Sequence, residues 1–313
     1  MSAKAHISVV LPVYRTAQYL RELYRRLVAT LEPLAGDFEL LMIDDGSPDD
    51  AWSILTELAR ADPRVKAIRL SRNFGQHAAI CAGFEHATGD CIVLMDADLQ
   101  DCPEDIPVLL KHLHGDCDVV YTVKEGDESW LTRWTSRLYH DVVSRLSRQE
   151  VPANIGTFRL FSRRVLQALR AYPEYNVLYG PLMFHVGFQS AVVCVPHPRR
   201  QGGSSSYSFR KRLALAVNSL ISYTDFPHRF LVYFGGLILV LSALYTVALV
   251  IRYLVAAEPA PPGLTLLALL ITVSLGSLML GLGVIGMYVF RVYQEVLRRP
   301  RYVKARTLNV EEE

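Results

Sequence analysis

Hydrophobic residues occur in short continuous runs along the first part of the chain, and each run is followed by a stretch with helical spacing. The apolar runs lie at His6–Pro12, Phe38–Ile43, Val65–Leu70 and Cys91–Met95. Helical spacing follows at Ala17–Glu32, Pro48–Arg60, Gln76–Ala87 and Pro103–His114. Continuous apolar strands that alternate with helices are typical of a parallel sheet with helices on both faces. The pattern therefore predicts an α/β domain with a mostly parallel sheet.

Prolines mark where two of these helices should begin. Ser47-Pro48 places a capping residue before a proline at the first helical position, and Cys102-Pro103 has proline at a similar place. We therefore expect helices to start at Pro48 and Pro103.

The C-terminal quarter contains two apolar segments that are long enough to cross a bilayer. Phe230–Ile251 has 22 residues without a charge and Gly263–Phe290 has 28, whereas about 20 suffice for a hydrocarbon core of about 30 Å. Because the connection Arg252–Pro262 is short, we expect a hairpin of two transmembrane helices. Six Lys or Arg residues lie in each flank, at 197–229 and 291–306. The positive-inside rule then predicts a multi-pass protein of the cell membrane, with the N-terminal domain and both termini cytoplasmic and the short loop outside.

A basic start and an apolar body characterise the segment just before these spans, Ser208–Tyr223. This composition favours an amphipathic helix in the lipid headgroup region, and a plain core helix is the alternative. Glycines in the second apolar segment allow close helix packing, including packing in a homo-oligomer. The expected organisation is a cytoplasmic domain (1–207), an interfacial helix (208–227), two transmembrane helices (228–290) and a basic cytoplasmic tail (291–313).

Composition and charge narrow the class of protein. The 313 residues are 51% hydrophobic with a formal net charge of only +2, which excludes a disordered chain and gives no reason to expect a nucleic-acid partner. The five cysteines show no Cys-x-x-Cys spacing and form no zinc-like cluster with the histidines. We expect them to be reduced and mostly structural.

Acidic motifs follow two of the predicted strands. Asp44-Asp45-Gly46-Ser47 follows the second, and Asp96-Ala97-Asp98-Leu99-Gln100 follows the fourth. Ligands of open α/β sheets bind at the carboxyl ends of strands, and hard oxygen donors suit Mg²⁺ or Mn²⁺ carried with a diphosphate. Either motif taken alone is also compatible with a solvated turn or a helix cap.

Together, the motifs of this chain resemble those of family 2 glycosyltransferases with the GT-A fold. The order and spacing match at Val9-Val10-Leu11-Pro12-Val13-Tyr14, Asp44-Asp45-Gly46-Ser47, Asn73-Phe74-Gly75-Gln76, Gly89-Asp90 and Asp96-Ala97-Asp98-Leu99-Gln100. More narrowly, the chain resembles polyprenyl-phosphate glycosyltransferases, the group that includes dolichyl-phosphate mannose synthase and the bacterial undecaprenyl-phosphate sugar transferases. The likeness extends through the apolar hairpin to the basic tail.

This resemblance implies an inverting enzyme that transfers one sugar from a nucleotide diphosphate sugar to a polyprenyl phosphate at the inner leaflet, among membrane lipids. It implies a nucleotide pocket at Pro12, Tyr14, Asp44 and Asp45. It implies a Mg²⁺ or Mn²⁺ site at Asp96, Asp98 and Gln100, with the two aspartates catalytic. The lipid-phosphate residues that it implies are Arg133, Ser136, Arg200 and Ser205.

Two departures from the family pattern concern the chemistry. Thr157 stands where many relatives have the aspartate proposed as general base, and Ser206 stands where they commonly have lysine. A phosphate monoester has a second pKa near 6, so the acceptor is already largely dianionic at pH 7 and needs little deprotonation. Two alternatives stay open. One is a processive polysaccharide synthase, which is disfavoured because the chain has no Gln-x-x-Arg-Trp signature and only two apolar segments. The other is a catalytically inactive scaffold that binds a sugar nucleotide.

Overall fold

The computed structural model of the chain describes residues 6–34, 37–125, 155–172, 179–196 and 263–310, with isolated positions between 233 and 251. The chain divides into two compact units. The first comprises residues 1–208 and 299–313, and the second comprises residues 209–298.

A mixed sheet forms the centre of the first unit. Its described strands are β1 (His6–Val13), β2 (Asp37–Asp44), β3 (Val65–Leu70), β4 (Cys91–Leu94), β5 (Val119–Glu125), β6 (Ile155–Ser162), β7 (Ser190–Pro196) and β8 (Lys304–Leu308). They are arranged in the order β7-β5-β6-β4-β1-β2-β3-β8. The pairs β1–β2, β1–β4, β2–β3 and β5–β7 are parallel, whereas β4–β6, β5–β6 and β3–β8 are antiparallel. The expected α/β class with a mostly parallel sheet is confirmed.

Helices cover both faces of this sheet. The described helices of the first unit are α1 (Ala17–Leu31), α2 (Ala51–Ala61), α3 (Gln76–His86), α4 (Ile106–His112), α5 (Arg163–Arg170) and α6 (Tyr179–Val186). Alternate residues of β1 serve two apolar layers: Val9 and Leu11 pack with α1, α2 and α4, and Val10 packs with α3, α5 and α6. This two-sided burial explains why the strands are continuously apolar in sequence.

The amphipathic spacing of α1 shows how local sequence determines this packing. Leu20, Leu23, Leu27 and Leu31 recur every three or four residues and are completely buried. Each buried leucine contributes about 1.5–3 kcal/mol through the apolar surface that it removes from water. The helix therefore lies with one stripe against the sheet.

One of the two predicted helix starts is wrong. Helix α2 begins at Ala51, three residues after Pro48, and Ser47 does not cap it. The Ser47 hydroxyl instead accepts a hydrogen bond from the Arg15 backbone N–H at 2.8 Å, so it joins two loops of the site described below. The other start is confirmed, because Pro103 begins a short 3-10 turn that leads directly into α4.

The chain returns to the sheet after its second unit. β8 lies within the segment that we predicted as a basic tail, and it pairs with the outer edge of β3. No strand was predicted here from the sequence, and the finding makes these residues part of the first unit.

The second unit is described mainly by one helix, α7 (Gly263–Val296), of 34 residues. Some of its side chains lie outside the described residues. Over the residues that are described, no helix was found with the length and apolar character needed to cross a membrane.

Candidate active site

The carboxyl ends of three neighbouring parallel strands bring the sequence motifs together. β1 lies between β4 and β2 in the sheet, with Val13 opposite Asp44. The end of β1 therefore separates the acidic motif after β2 from the acidic motif after β4. This is the edge at which open α/β sheets bind their ligands.

Asp44 and Asp45 are buried at this edge and organise the surrounding loops. Asp44 is 0% exposed, accepts the Ser47 N–H at 2.7 Å and lies 3.3 Å from the Arg69 Nε. Asp45 is 3% exposed, and its two oxygens accept the N–H groups of Phe74 and Gly75 at 2.7 and 2.8 Å. Burial raises the pKa of both carboxyl groups, against the opposing effect of these donors. The pair thus links β2 to the loop that precedes α3.

Gly46 is required by this arrangement for two reasons. Its φ of +61° lies in the left-handed region that favours glycine, and a Cβ here would lie 2.6 Å from the carbonyl carbon of Arg72. The loop before α3 can approach Asp45 closely only because this position has no side chain.

The aromatic residue at the end of β1 is accessible. Tyr14 is 41% exposed, and the guanidinium of Arg15 lies 5.4 Å from its ring centre. Pro12, two residues earlier on β1, is half-buried. An exposed aromatic ring can stack on a nucleobase, which suits the nucleotide-binding role that the sequence predicts for Tyr14.

The second acidic motif forms a tight turn after β4. Leu99 has a φ of 62°, and the backbone N–H of Gln100 donates to Asp98 at 3.2 Å. The backbone N–H of Asp96 donates to the buried Asp101 at 3.1 Å. The turn presents Asp96, Asp98 and Gln100 as half-buried side chains.

Gln76 connects the two acidic motifs. Its side-chain amide donates to Asp96 at 2.8 Å, and it is the first residue of α3, directly after the loop bound by Asp45. The sequence pattern had marked Asn73-Phe74-Gly75-Gln76 only as part of a resemblance. The structure gives this segment a position between both motifs.

Sequence reasoning missed Arg159. This residue on β6 is 7% exposed and donates to the carbonyl oxygens of Thr157 and Gly156 at 3.0 and 2.9 Å. Among the described residues it forms no ion pair, although it interacts electrostatically with Asp96 and Asp101. Burial lowers the pKa of this guanidinium. A buried positive charge therefore lies close to the acidic turn.

The profile of the family described as "Glycosyl transferase family 2" matches residues 8–170, a range that includes both acidic motifs. The chain belongs to glycosyl transferase family 2.

Similar curated proteins extend this family assignment over nearly the whole chain. A protein of Sodalis glossinidius named undecaprenyl-phosphate 4-deoxy-4-formamido-L-arabinose transferase is 34% identical over 95% of this chain and 92% of its own length. The protein of the same name in Klebsiella pneumoniae is 35% identical over 95% and 91%. An uncharacterized glycosyltransferase of Synechocystis is 31% identical over 95% and 94%.

Solved structures of another glycosyl-transferring enzyme share the fold of the first unit. Glucosyl-3-phosphoglycerate synthase from Mycobacterium tuberculosis, in complex with Mn²⁺, UDP and phosphoglyceric acid, matches with a TM-score of 0.53 and 17% identity over 69% of this chain and 76% of that chain. Its complex with Mg²⁺ and UDP matches with a TM-score of 0.51, also at 17% identity, over 69% and 77%. The likeness supports a GT-A-like arrangement for the first unit.

The residues of the acidic turn fit a divalent cation by their chemistry. Asp96, Asp98 and Gln100 offer hard oxygen donors, and Mg²⁺ and Mn²⁺ prefer such donors, completed by phosphate oxygens. Among the residues that the structure describes, no group of three or more His, Cys, Asp and Glu residues that could hold a metal ion was found. Two carboxylates and an amide would leave the remaining coordination positions to phosphate oxygens of the donor and to water.

Thr157 lies at the level of the acidic turn. β6 pairs antiparallel with β4, with Arg159 opposite Leu94 at the last pair of the ladder. Thr157 precedes Arg159 by two residues, and Asp96 follows Leu94 by two residues, so the family departure noted in the sequence is on the strand beside the one that leads into the acidic turn. The predicted lipid-phosphate residues Arg133, Ser136, Arg200 and Ser205, as well as Ser206, lie outside the described residues.

Proposed function

We propose that this family 2 glycosyltransferase transfers one sugar from a nucleotide diphosphate sugar to a polyprenyl phosphate, with inversion at the anomeric carbon. The observation that carries the proposal is the meeting of two acidic motifs at one sheet edge, linked through Gln76. Relatives of matching length that are named undecaprenyl-phosphate sugar transferases support the acceptor class.

The donor nucleotide would bind along the end of β1. In this proposal Tyr14 stacks on the base, while Pro12 and the loops held by Asp44 and Asp45 form the walls of the pocket. The diphosphate then extends toward Asp96, Asp98 and Gln100. A divalent cation held by these three residues would neutralise the charge that develops on the departing nucleotide diphosphate.

The reaction needs alignment more than proton removal. An oxygen of the acceptor phosphate attacks the anomeric carbon while the bond from that carbon to the nucleotide diphosphate breaks. Because the acceptor phosphate is largely dianionic at neutral pH, Thr157 in place of a carboxylate does not prevent this attack. The residues proposed to align the acceptor are Arg133, Ser136, Arg200 and Ser205, with Arg200 suited to a bidentate grip.

Attachment to a membrane completes the proposal, because a polyprenyl acceptor resides in lipid. We base it on the uncharged segments Phe230–Ile251 and Gly263–Phe290 and on their basic flanks. The catalytic domain (1–207) would then work at the cytoplasmic surface, beside the interfacial helix (208–227). The hairpin (228–290) and the basic tail (291–313) complete the proposed organisation, and within that tail β8 returns to the sheet of the first unit.

The test is sugar transfer by the purified full-length protein in detergent with undecaprenyl phosphate. The protein is incubated with Mn²⁺ and a panel of radiolabelled nucleotide sugars, which includes nucleotide-linked 4-deoxy-4-formamido-L-arabinose. The mass of the organic-extractable product is determined by mass spectrometry. We expect one sugar per lipid from one donor. A polymeric product would favour a processive synthase, and donor binding without transfer would favour the inactive scaffold.

A further inference from the structure

The chain segment that follows the second unit reaches the helix that carries Gln76. Arg301, Tyr302 and Lys304 each place a side chain against α3, and we call these three residues the α3 clasp. Their contacts join parts of the chain separated by more than 200 residues. The clasp therefore connects the last described segment to the second half of the helix whose first residue is Gln76.

The clasp contacts one face of α3. Arg301 donates to the Cys81 sulfur at 3.2 Å, and the Tyr302 hydroxyl donates to the Glu85 carboxylate. Cys81 and Glu85 are four residues apart, so they lie one above the other on the helix. The Lys304 Nζ lies 3.4 Å from the His86 Nε2, which extends the contact to the last residue of the helix.

These contacts are held in a partly buried setting. The Tyr302 ring packs against the apolar layer beneath α3. Burial raises the pKa of the Tyr302 hydroxyl most, and its hydrogen bond to Glu85 raises this pKa further. The hydroxyl therefore stays protonated and keeps its role as donor. Arg301 also donates to the Tyr172 carbonyl oxygen at 2.6 Å, so it connects α3 to the segment after α5.

The backbone that follows Tyr302 is fixed to the sheet. The Ser71 N–H donates to the Val303 carbonyl at 2.8 Å, and β8 then pairs along β3. Beyond the strand, the Asn309 amide donates to the carbonyls of Ala59 and Val65 at 2.6 and 2.9 Å. Arg301 and Tyr302 thus directly precede a stretch of backbone that is anchored to the sheet, and Lys304 lies on the strand itself, which favours precise positioning.

The opposite end of α3 has no capping side chain. Its N-cap is Gly75. Asp45, which follows β2, accepts a hydrogen bond from the Gly75 N–H, and the Gln76 side chain donates to Asp96, so these two bonds hold the start of the helix. A displacement of α3 along its axis would strain the Gln76–Asp96 bond together with the bonds from Phe74 and Gly75 to Asp45. Misplacement of catalytic groups on the 1 Å scale costs on the order of 10²-fold in rate.

We propose that Arg301 and Tyr302 are positioning residues for the acidic turn: they fix α3 so that Gln76 keeps Asp96 in place. The part of the test that measures sugar transfer rests on the proposed function. Hydrogen exchange and Mn²⁺ binding do not rest on it, because they report on α3 and on the acidic turn directly.

The experiment compares R301Q/Y302F with R306Q in the full-length protein in detergent. Arg306 is exposed on β8 and its side chain makes no hydrogen bond or ion pair with the described residues, so R306Q controls for charge loss on the same segment. Amide hydrogen exchange is measured at residues 76–80, Mn²⁺ binding is measured by electron paramagnetic resonance at 10 °C, and sugar transfer is measured under the same conditions.

We expect R301Q/Y302F to accelerate exchange at the start of α3 and to weaken Mn²⁺ binding and transfer about tenfold relative to R306Q. Exchange or Mn²⁺ affinity equal to that of R306Q would overturn the inference. If the double variant does not fold, Y302F alone, which removes a single oxygen, is judged by the same criteria. Absence of transfer in the wild type would refute the proposed function, while exchange and Mn²⁺ binding would still decide the role of the clasp.

Discussion

Replacing Gly46 with alanine tests how closely the loop before α3 must approach the buried aspartates. The new Cβ would lie 2.6 Å from the Arg72 carbonyl carbon and 2.8 Å from the Asn73 nitrogen. Both are backbone atoms, so neither can turn away as a flexible side chain would. The loop must move, and with it the N–H groups of Phe74 and Gly75 that bond to Asp45.

The loss of folding free energy in G46A has two causes, and comparison with the variant G115A separates them. An L-residue in the left-handed region costs about 1–2 kcal/mol, and forcing a packed backbone apart costs about a further 1–3 kcal/mol. Gly115 has the same φ of +61°, but a Cβ at this position would meet no neighbouring atom within 4 Å, so G115A carries only the first cost. The difference between the two variants therefore measures the close approach alone.

Thermal unfolding of the two variants measures this difference. A change of 1 kcal/mol shifts Tm by about 2–4 °C in a domain of 150–250 residues. We expect G46A to unfold at least about 2 °C below G115A and to bind nucleotide diphosphates more weakly than G115A does. Equal values of Tm in the two variants would refute the proposed packing of this loop.

Three further predictions concern buried polar groups. E39Q breaks the buried pair between Glu39 and Lys66 and should lower the free energy of unfolding by about 3 kcal/mol in urea titrations. Burial lowers the pKa of His77 to about 4, below the unfolded value of about 6.5, so the unfolded state binds more protons. Up to about 3 kcal/mol of stability should thus be lost as the pH falls from about 6.5 to 4, and H77Q should flatten this dependence. T122V removes the buried hydroxyl that donates to the Phe158 carbonyl at 2.6 Å and should cost about 1–2 kcal/mol, whereas an unchanged urea midpoint would contradict that bond's role.

The first half of the fold could be predicted because its signals are local. The strands from β1 to β4 are mainly apolar runs, and their helices carry regular apolar spacing, so each element is visible within its own segment. β8 has no such signal. Its residues Lys304–Leu308 are mostly exposed on one edge of the sheet, and their pairing depends on a partner more than 200 residues away.

The candidate site likewise contains residues that a local motif identifies and residues that only the fold identifies. Asp96 and Asp98 could be identified from a short motif after a strand, because spacing and residue type suffice to suggest a cation site. Arg159 could not be identified in this way, since a charged residue within an apolar strand is recognised as buried only when its backbone partners are known. Ser47 looked like a helix cap for a similar reason, and only the fold shows its bond to the Arg15 backbone.

The central claim is that the acidic turn after β4 drives sugar transfer to a polyprenyl phosphate, and Asp98 tests it most directly. The measurement is the initial rate of sugar incorporation into undecaprenyl phosphate by wild type and D98N, with Mn²⁺ and the donor at saturation. We predict that D98N loses about 10²-fold or more of the rate while its Tm stays within about 2 °C of the wild type. Equal rates for the two proteins would contradict the claim.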